Sequence, residues 1–278
     1  MSLLAHERWP GEGRPLLLLH GFTGNRGSYS HLRPRLVEHA DVVVVDLPGH
    51  GESPFPEDTT FSSTLEALVA LLDALGFGEV DVAGYSLGAR VALGLAVAVP
   101  GRVRRLVLES GSPGLRRRHD REMRRRTDES LAARLESEGV EPFVDAWEAL
   151  PIFAGVRSLP GEVQAAVRAR RLSGHPEGLA LSLRRLGLGT QPNYWPELPR
   201  LRTPTLLLSG ARDAKFTALA RRMAAELPLV WGHVFPNVGH APHLESPEAW
   251  AREVTGFLSA PWIERPLVES EDPRSVPT

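Results

Sequence analysis

The segment that decides the fold is VDVAGYSLGARVALGLAVAV, residues 80–99. It begins with a short apolar run, Val80–Gly84, that is typical of a strand, and Leu87–Val99 has the length and apolar spacing of a helix. The motif Gly84-Tyr85-Ser86-Leu87-Gly88 leaves room only for a sharp turn, on which glycines avoid collisions between neighbouring side chains. Ser86 is therefore predicted on a tight strand–helix turn, at the positive end of a helix dipole. A structural turn with an idle serine is the alternative.

Five further apolar runs occur along the chain, each bounded by residues that favour turns. They are Pro15–His20, Val42–Asp46, Val103–Glu109, Thr203–Ser209 and Val230–Phe235. Short runs of leucine and β-branched residues are typical of strands buried on both faces. Helical patterns separate them, and such alternation favours a parallel sheet with right-handed crossovers. The sequence therefore predicts an α/β fold with a mostly parallel central sheet and helices on both faces.

The alternation stops between about residues 116 and 196. This segment contains no convincing strand, is rich in Arg, Glu and Leu, and is divided by prolines into short helical patterns. We therefore predict a core of residues 1–115 and 197–260 that carries an all-helical cap of residues 116–196. The tail, residues 261–278, is rich in proline and acidic residues and is predicted to be disordered.

Composition excludes several functional classes. The 278-residue chain has no cysteine, which excludes disulfide frameworks, cysteine–zinc sites, iron–sulfur clusters and thiol catalysis. Its formal net charge of −2 gives no overall attraction to nucleic acid or to anionic membranes. No apolar stretch approaches the ~18 residues of a membrane span, and the first residues lack the features of a secretory signal. These features predict a cytoplasmic protein that binds neither nucleic acid nor membrane.

A reactive serine needs a base and a carboxylate that orients the base. Asp213 follows one predicted strand and His240 follows the next, so the chain order is Ser…Asp…His, each after a strand. That order is the one found in the α/β-hydrolase fold. We therefore predict Ser86, Asp213 and His240 as a catalytic triad. Two alternatives stay open: His243 in place of His240, and Asp213 as the N-cap of the helix that follows it.

The loop His20-Gly21-Phe22 ends the first long apolar run. In an α/β hydrolase this loop supplies one backbone N–H to an oxyanion hole, here that of Phe22, and the residue after the nucleophile, Leu87, supplies the other. A plain glycine turn is the alternative. The nearby loop Asp46–Ser53 is predicted to support the site structurally, with His50 packed inside it.

A metal site is the competing interpretation of the histidines near the last predicted strand. His240, His243 and Glu245 are metal-ligand types at short spacing. However, Pro242 prevents the regular helical face on which a zinc helix presents its ligands. The sequence therefore predicts no metal.

Arginine, which makes up nearly all of the basic residues, is the next clue. Arg90 lies one helical turn after Ser86, so its side chain is expected near the mouth of the site. The stretch Arg116–Arg126 is strongly basic and opens the predicted cap, and Arg168–Arg171 holds a second group. Because the planar guanidinium matches a carboxylate, the set predicts a small polyanionic substrate. A solvated helix face is the alternative.

Several longer motifs resemble one known family. They are GYSLGAR (84–90), DLPGHGES (46–53), ESGSPGL (109–115), FVDAWEALPIF (143–153), RLS (171–173), GTQPNYW (189–195) and SGARDAKF (209–216). Through them, residues from about 16 to 258 resemble the 2-succinyl-6-hydroxy-2,4-cyclohexadiene-1-carboxylate synthases of menaquinone biosynthesis. The resemblance implies an α/β-hydrolase fold that no longer hydrolyses. It implies a lyase that eliminates pyruvate from 2-succinyl-5-enolpyruvyl-6-hydroxy-3-cyclohexene-1-carboxylate, a tricarboxylate, without cofactor or metal.

The resemblance carries over to individual positions of this chain. The family's triad corresponds to Ser86, Asp213 and His240. Its substrate-binding arginines correspond to Arg90, Arg124 and Arg171. Its pocket positions correspond to Phe22, Tyr85, Leu87 and Trp147.

Three positions leave the correspondence open. Arg125 rivals Arg124, and Arg168 rivals Arg171, because the arginines are adjacent or one turn apart. Ala89 stands where the family usually has glycine, so an extra methyl group is expected under the turn.

The implied reaction removes a proton from carbon and expels pyruvate. Ser86, deprotonated by His240, is the predicted base, and Asp213 orients the imidazole and stabilises its protonated form. Two other functions remain open: a serine hydrolase that cleaves a carboxylated ester or a carbon–carbon bond, and a non-catalytic ligand receptor on the same fold. The sequence makes no prediction of the oligomeric state.

Overall fold

In the computed structural model, which describes residues 3–260, the six apolar runs of the sequence and one further strand form a seven-stranded sheet. Its strands are β1 (His6–Trp9), β2 (Arg14–Leu19), β3 (Ala40–Val45), β4 (Val80–Tyr85), β5 (Val103–Glu109), β6 (Thr205–Gly210) and β7 (Val230–Phe235). They lie in the order β1-β3-β2-β4-β5-β6-β7, and every neighbouring pair is parallel except β1 with β3. The predicted mostly parallel sheet is confirmed. The tail predicted to be disordered, residues 261–278, lies outside the described residues.

Strand β1 is absent from the sequence-based prediction. Of its four residues, HERW, only Trp9 is buried, so it carries no apolar run and too short an alternation to detect. Its conformation comes from antiparallel pairing with β3, from His6 opposite Val45 to Trp9 opposite Val42. Such pairing joins distant parts of the chain, and no local pattern reports it.

Ten α-helices accompany the sheet within residues 3–260. They are α1 (Arg33–Leu36), α2 (Phe61–Ala74), α3 (Leu87–Ala98), α4 (Arg118–Glu138), α5 (Val140–Glu148), α6 (Gly161–Leu172), α7 (Pro176–Leu186), α8 (Ala214–Ala224), α9 (Pro242–Glu245) and α10 (Pro247–Ser259). Over this range, no helix combines the length and apolar character needed to cross a membrane.

The sheet separates two apolar clusters. Leu17 and Val43 point to the face covered by α2, α3 and α8, whereas Leu16 and Val42 point to the face covered by α1 and α10. Because successive side chains of a strand point to opposite faces and both faces are covered, most positions of the central strands are apolar. This explains why their sequences read as continuous apolar runs.

Helices α4 to α7 lie between β5 and β6, and residues 110–204 contain no strand. Helix α4 is longer than its apolar pattern predicts, because it begins at Arg118 and runs for 21 residues through the arginine-rich stretch. Ala132 and Leu135 on α4 pack with Phe143 on α5 and Leu183 on α7 in a cluster of their own. Helices therefore fill the segment predicted as a cap, while the division into core and cap stays a prediction.

The turn at Ser86 depends on close backbone contacts on both sides. A Cβ at Gly84 would overlap the Gly88 carbonyl and lie 2.6 Å from Ala89 N, and a Cβ at Gly88 would overlap the end of β2 around Leu19. Helix α3 can therefore rest directly on the sheet. Ser86 has φ 51° and ψ −102°, a conformation that L residues rarely adopt and that costs about 1–3 kcal/mol. The surrounding packing must hold this strain.

Substitution of Gly84 by alanine should destabilise the protein by about 1–3 kcal/mol or more, because rigid backbone has to move away from the new methyl group. Thermal or urea unfolding measures the loss. Gly101→Ala is the matched control, since a Cβ at Gly101 meets nothing within 4 Å. Equal melting temperatures for the two variants would contradict this account of the turn.

Candidate active site

Each member of the predicted triad follows a strand at the same edge of the sheet. Ser86 follows β4, Asp213 follows β6 and His240 lies in the loop after β7. Because the carboxyl ends of parallel strands meet at one edge, residues far apart in the chain converge there. Ser86 and His240 are 154 positions apart, yet their side chains are in hydrogen-bond contact.

His240 links the other two members. Its Nδ1–H donates to Asp213 Oδ2 at 2.6 Å, and its Nε2 accepts from Ser86 Oγ at 3.3 Å. Asp213 is 9% exposed and His240 3% exposed, so water does not compete for the bond between them. Asp213 Oδ1 also accepts from the backbone N–H of Phe216 at 3.1 Å. Asp213 therefore orients His240 with one oxygen and caps α8 with the other, so both roles considered for it coexist.

The loop that carries His240 is held by two neighbouring side chains. Ser110 Oγ donates to the His240 carbonyl oxygen at 2.8 Å. The carboxylate of Glu245 accepts from the backbone N–H groups of Gly239, at 2.6 Å, and Ala241, at 3.1 Å. Ser110 is itself strained, with φ 49°, at the end of β5. These contacts fix the backbone on both sides of the imidazole.

His243, the alternative base, belongs to a different network. Its Nδ1 and its backbone N–H lie 2.8 and 3.1 Å from Glu109 Oε1. Glu109, which is 1% exposed, also accepts from Trp250 Nε1 at 2.9 Å. Of the two histidines, it is His240 that bonds Ser86.

The three residues of the competing metal interpretation face different partners. His240 bonds Asp213, His243 bonds Glu109, and Glu245 bonds backbone amides. In the part of the chain that the structure describes, no three His, Asp or Glu side chains are arranged to hold a metal ion.

The two residues predicted to supply oxyanion amides, Phe22 and Leu87, both line the cavity beside the triad. Leu87 is the first residue of α3, so its N–H lies at the positive end of that helix. The loop of Phe22 is held by His20, whose Nδ1–H donates to the Gly21 carbonyl at 2.8 Å and whose Nε2 accepts from Leu47 N–H at 3.0 Å. Burial lowers the pKa of His20 to about 4, which keeps the ring neutral and its Nε2 an acceptor. The oxyanion role stays a prediction.

Ser86 lies between two compartments of one cavity. The α6 compartment is lined by Tyr85, Phe153, Val167, Arg170 and Arg171. The α4 compartment is lined by Arg90, Arg124, Ser182, Leu186 and Phe216. The residues common to both are Phe22, Ser86 and Trp147. Each compartment encloses about 580 Å³ of empty space when its open mouth is included. A ligand at Ser86 can therefore extend one arm into each.

The indole of Trp147 forms the wall that both compartments share. It stacks on Phe143 with ring centroids 5.6 Å apart and meets the ring of Phe22 edge-on at 5.3 Å. Its Nε1–H is buried and has no acceptor among residues 3–260.

The α4 compartment holds two guanidinium groups, of which one bonds a carboxylate and the other bonds only neutral oxygens. Arg90 Nη1 donates to the Leu186 carbonyl at 2.7 Å and to Gln191 Oε1 at 3.3 Å, which are neutral acceptors. Arg124 Nε instead donates to the buried carboxylate of Asp128 at 2.8 Å. Burial and the charge of Arg124 lower the pKa of Arg90 to about 9. An anion in this compartment would relieve both effects.

In the α6 compartment Arg171 is held rigidly. Its Nη1 donates to Glu148 Oε1 at 2.9 Å, and its guanidinium lies 4.8 Å from the centroid of the Phe153 ring. Arg168 donates to the other oxygen of Glu148 at 3.0 Å and pairs with Asp145 at 2.7 Å. Arg168 lines neither compartment with Ser86. Of the two alternative residues, Arg171 lines the cavity at Ser86 and Arg168 does not.

Known proteins share this architecture along nearly the whole chain. A model of the alpha/beta hydrolase family matches residues 16–253. A putative 2-succinyl-6-hydroxy-2,4-cyclohexadiene-1-carboxylate synthase of Bacillus subtilis is 34% identical over 254 residues, which cover 90% of this chain and 92% of the relative. The synthase of Serratia proteamaculans is 33% identical, with 89% and 94% covered. The chain belongs to this synthase family.

Solved structures agree with that assignment. The structure of MenH from S. aureus has a TM-score of 0.88 and 34% identity, and the match covers 91% of this chain and 97% of that one. A malate-bound thermophilic esterase from Thermogutta terrifontis has a TM-score of 0.81 and 32% identity, with 92% of each chain covered. The predicted α/β-hydrolase fold and the predicted synthase family are thereby confirmed. The chain is therefore an enzyme on an α/β-hydrolase fold.

The structure shows where two of the positions left open by the family resemblance lie: Arg124 with its neighbour Arg125, and Ala89. Arg124 lines the α4 compartment, whereas Arg125 Nε donates to the Gly189 carbonyl at 3.0 Å and lines neither compartment. Ala89, where the synthase family usually has glycine, is buried, and a Cβ at Gly111 would lie 2.8 Å from the Ala89 methyl group. The extra methyl fits because Gly111 leaves the space open.

Several residues of the site were not singled out from the sequence. Phe216 and Phe153 flank His240, with ring centroids 4.6 and 6.2 Å from the imidazole. Ser110 bonds the backbone of His240, and Arg170 lines the α6 compartment. Phe216 ends one of the family motifs and Arg170 belongs to a marked arginine group, but neither spacing nor composition shows which way a side chain points.

The free energy of unfolding should decrease as the pH falls from about 6.5 to about 4. Burial lowers the pKa of His20 to about 4 and that of His50 to about 3, whereas an unfolded histidine titrates near ~6.5. The unfolded chain therefore binds more protons in this window, and stability is lost at about 1.4 kcal/mol per pH unit for each histidine.

His50→Asn isolates one of these contributions, because asparagine does not titrate and still has an N–H for the Pro48 carbonyl that His50 Nδ1 bonds at 3.2 Å. Urea unfolding across the window should show a slope smaller by about 1.4 kcal/mol per pH unit. The exposed His39 provides the control, as His39→Asn should leave the slope unchanged. An unchanged slope in His50→Asn would refute the assignment.

Proposed function

We propose that this protein eliminates pyruvate from 2-succinyl-5-enolpyruvyl-6-hydroxy-3-cyclohexene-1-carboxylate to give 2-succinyl-6-hydroxy-2,4-cyclohexadiene-1-carboxylate in menaquinone biosynthesis. The observation that carries the proposal is the position of a Ser86–His240–Asp213 triad between two arginine-lined compartments. Relatives named for this product, 33–34% identical over most of the chain, support it.

The bonds that change follow from comparing the chemical formulas of the substrate and the product. The substrate has one ring double bond, at carbon 3, and the product has two, at carbons 2 and 4. A proton therefore leaves carbon 2, which the adjacent succinyl ketone acidifies. Its electron pair forms the C2–C3 double bond, the former C3–C4 pair moves to C4–C5, and the bond between C5 and the enolpyruvyl oxygen breaks. The released enolpyruvate takes up a proton and becomes pyruvate.

Each residue of the triad has a role in this sequence. Ser86 Oγ passes its proton to His240 Nε2 and accepts the proton from carbon 2. Asp213 stabilises the imidazolium that forms and keeps its Nδ1–H directed. Negative charge grows on the succinyl ketone oxygen, and in this proposal the backbone N–H groups of Phe22 and Leu87 donate to it.

The arginines bind the three carboxylates of the substrate. Arg90 and Arg124 serve the arm in the α4 compartment, and Arg171 serves the arm in the α6 compartment. Binding at both ends holds carbon 2 against Ser86, and such positioning accounts for much of the rate in reactions of this kind.

Ser86→Ala should reduce kcat by about 10⁴–10⁶-fold, the range found when a triad member is removed, and should leave KM within a few-fold. The measurement is pyruvate release from the enolpyruvyl substrate, followed with a coupled lactate dehydrogenase assay. A variant that kept a tenth of wild-type turnover would show that Ser86 is not the base.

Arg90→Gln should lower kcat/KM for the tricarboxylate. The decrease should correspond to a loss of about 2–5 kcal/mol of transition-state stabilisation, because a substrate carboxylate then lies unpaired in a buried site. Arg90→Lys should restore part of this, since lysine keeps the charge but loses the two-pronged geometry. Arg126→Gln, on the exposed side of α4, is the control of equal charge and should match the wild type.

A neutral ester tests whether Arg90 acts on the carboxylate or only on the fold. Any residual turnover of a p-nitrophenyl ester by the wild type involves no carboxylate contact and should change little in Arg90→Gln. Equal losses on both substrates would mean that Arg90 maintains the structure through Leu186 and Gln191 rather than binding substrate.

A hydrolase of carboxylated esters is the second candidate, favoured by the likeness to the malate-bound esterase. The same triad would then act as nucleophile and water would be the second substrate. Ester cleavage at a rate comparable with the wild-type rate of pyruvate release would favour this function.

A further inference from the structure

A fourth arginine lines the cavity at Ser86. Arg170 immediately precedes Arg171 at the C-terminal end of α6, and both line the α6 compartment. A helix C-terminus stabilises cations through the backbone dipole. The side chain of Arg170 runs beside the loop after β2, where a Cβ at Gly27 would lie 3.6 Å from Arg170 Cδ. Arg170 therefore lies between the helical segment and the sheet edge that carries the triad.

The four arginines of the cavity differ in their partners. Arg171 is paired with Glu148 and Arg124 with Asp128. Arg90 bonds only neutral oxygens. The guanidinium of Arg170 makes no hydrogen bond or salt bridge with any residue in the range 3–260. Each compartment thus contains one guanidinium paired with a carboxylate and one that is not.

The carboxylates nearest the α6 compartment are already engaged. Glu109 binds His243 and Trp250, and Glu245 binds the amides of the His240 loop. Glu148 is shared between Arg171 and Arg168. Burial and the charge of Arg171 lower the pKa of Arg170, so the positive charge of Arg170 is destabilised when no ligand is bound. An anion in the compartment would remove both costs.

We propose that Arg170 binds a carboxylate of the substrate in the α6 compartment and makes this end of the site selective for an anionic arm. The proposal rests on the proposed function. Arg171, held by Glu148 and the Phe153 ring, presents a fixed guanidinium to this arm, and Arg170 adds a charge that no carboxylate among the described residues compensates. With Arg90 acting at the other end, two unpaired cations hold the substrate across Ser86.

The test compares Arg170→Gln, Arg170→Lys and the control Arg126→Gln in the pyruvate-release assay. A lost charge-assisted hydrogen bond corresponds to roughly 10–100-fold. We expect Arg170→Gln to raise KM by about that factor while kcat changes little, and Arg170→Lys to recover part of the loss. Arg126→Gln should match the wild type. Raising the salt concentration should increase KM less in Arg170→Gln than in the wild type, because one screened contact is already missing.

A binding measurement separates this proposal from the proposed function. Tricarballylate, a saturated tricarboxylate, is titrated against tryptophan fluorescence in the wild type, Arg170→Gln and Ser86→Ala. If tricarballylate binds Arg170→Gln tenfold more weakly than the wild type, while Ser86→Ala binds it normally, the role of Arg170 is supported. This result would stand even if the wild type released no pyruvate. An absence of pyruvate release would reject only the proposed reaction. If neither tricarballylate affinity nor KM depends on Arg170, or if kcat falls while KM is unchanged, the proposal is wrong.

Discussion

The contact of α3 with the sheet through Gly84 and Gly88 is the constraint on which the rest of the site depends. It leaves no space for a side chain on either residue, so the backbone reverses sharply and Ser86 takes a strained conformation. The strain is held by the buried face of α3 and by the bond from Ser86 N–H to the Glu109 carbonyl at 2.9 Å. The distance from Ser86 Oγ to His240 Nε2, 3.3 Å, is already long for a hydrogen bond. A small shift of α3 would therefore break the triad.

Buried and half-buried carboxylates organise the other parts of the site. Asp213 sets the imidazole, Glu245 sets the loop around it, and Glu148 and Asp128 set Arg171 and Arg124. A buried charge is tolerated only with a partner, and removing one member of such a pair leaves the other uncompensated. Because Glu148 bonds Arg171 and Asp128 bonds Arg124, Arg90 and Arg170 are the cavity arginines left without a carboxylate partner among the described residues. The positive character of the cavity thus arises locally, in a chain whose net charge is −2.

The particular elements show where sequence reasoning succeeds. The sequence predicts the strands β2 to β7 because each contains a short apolar run bounded by turn residues, and it predicts the triad because each member follows one of those strands. Strand β1 was missed because its conformation comes from pairing with β3. The start of helix α4 could not be read from the sequence, because its first turns are mostly polar and exposed and have no apolar periodicity.

By itself, the sequence determined the fold class, the family and the chain order of Ser86, Asp213 and His240, because these depend on local patterns and short motifs. It also indicated that arginines matter. Only the tertiary structure decided which ones reach the cavity: Arg124 rather than its neighbour, and Arg170 as well as Arg171. The physical reason is that the direction of a side chain depends on how its helix packs and on which acids already hold its neighbours. Those acids come from other helices, and no spacing within one segment contains that information.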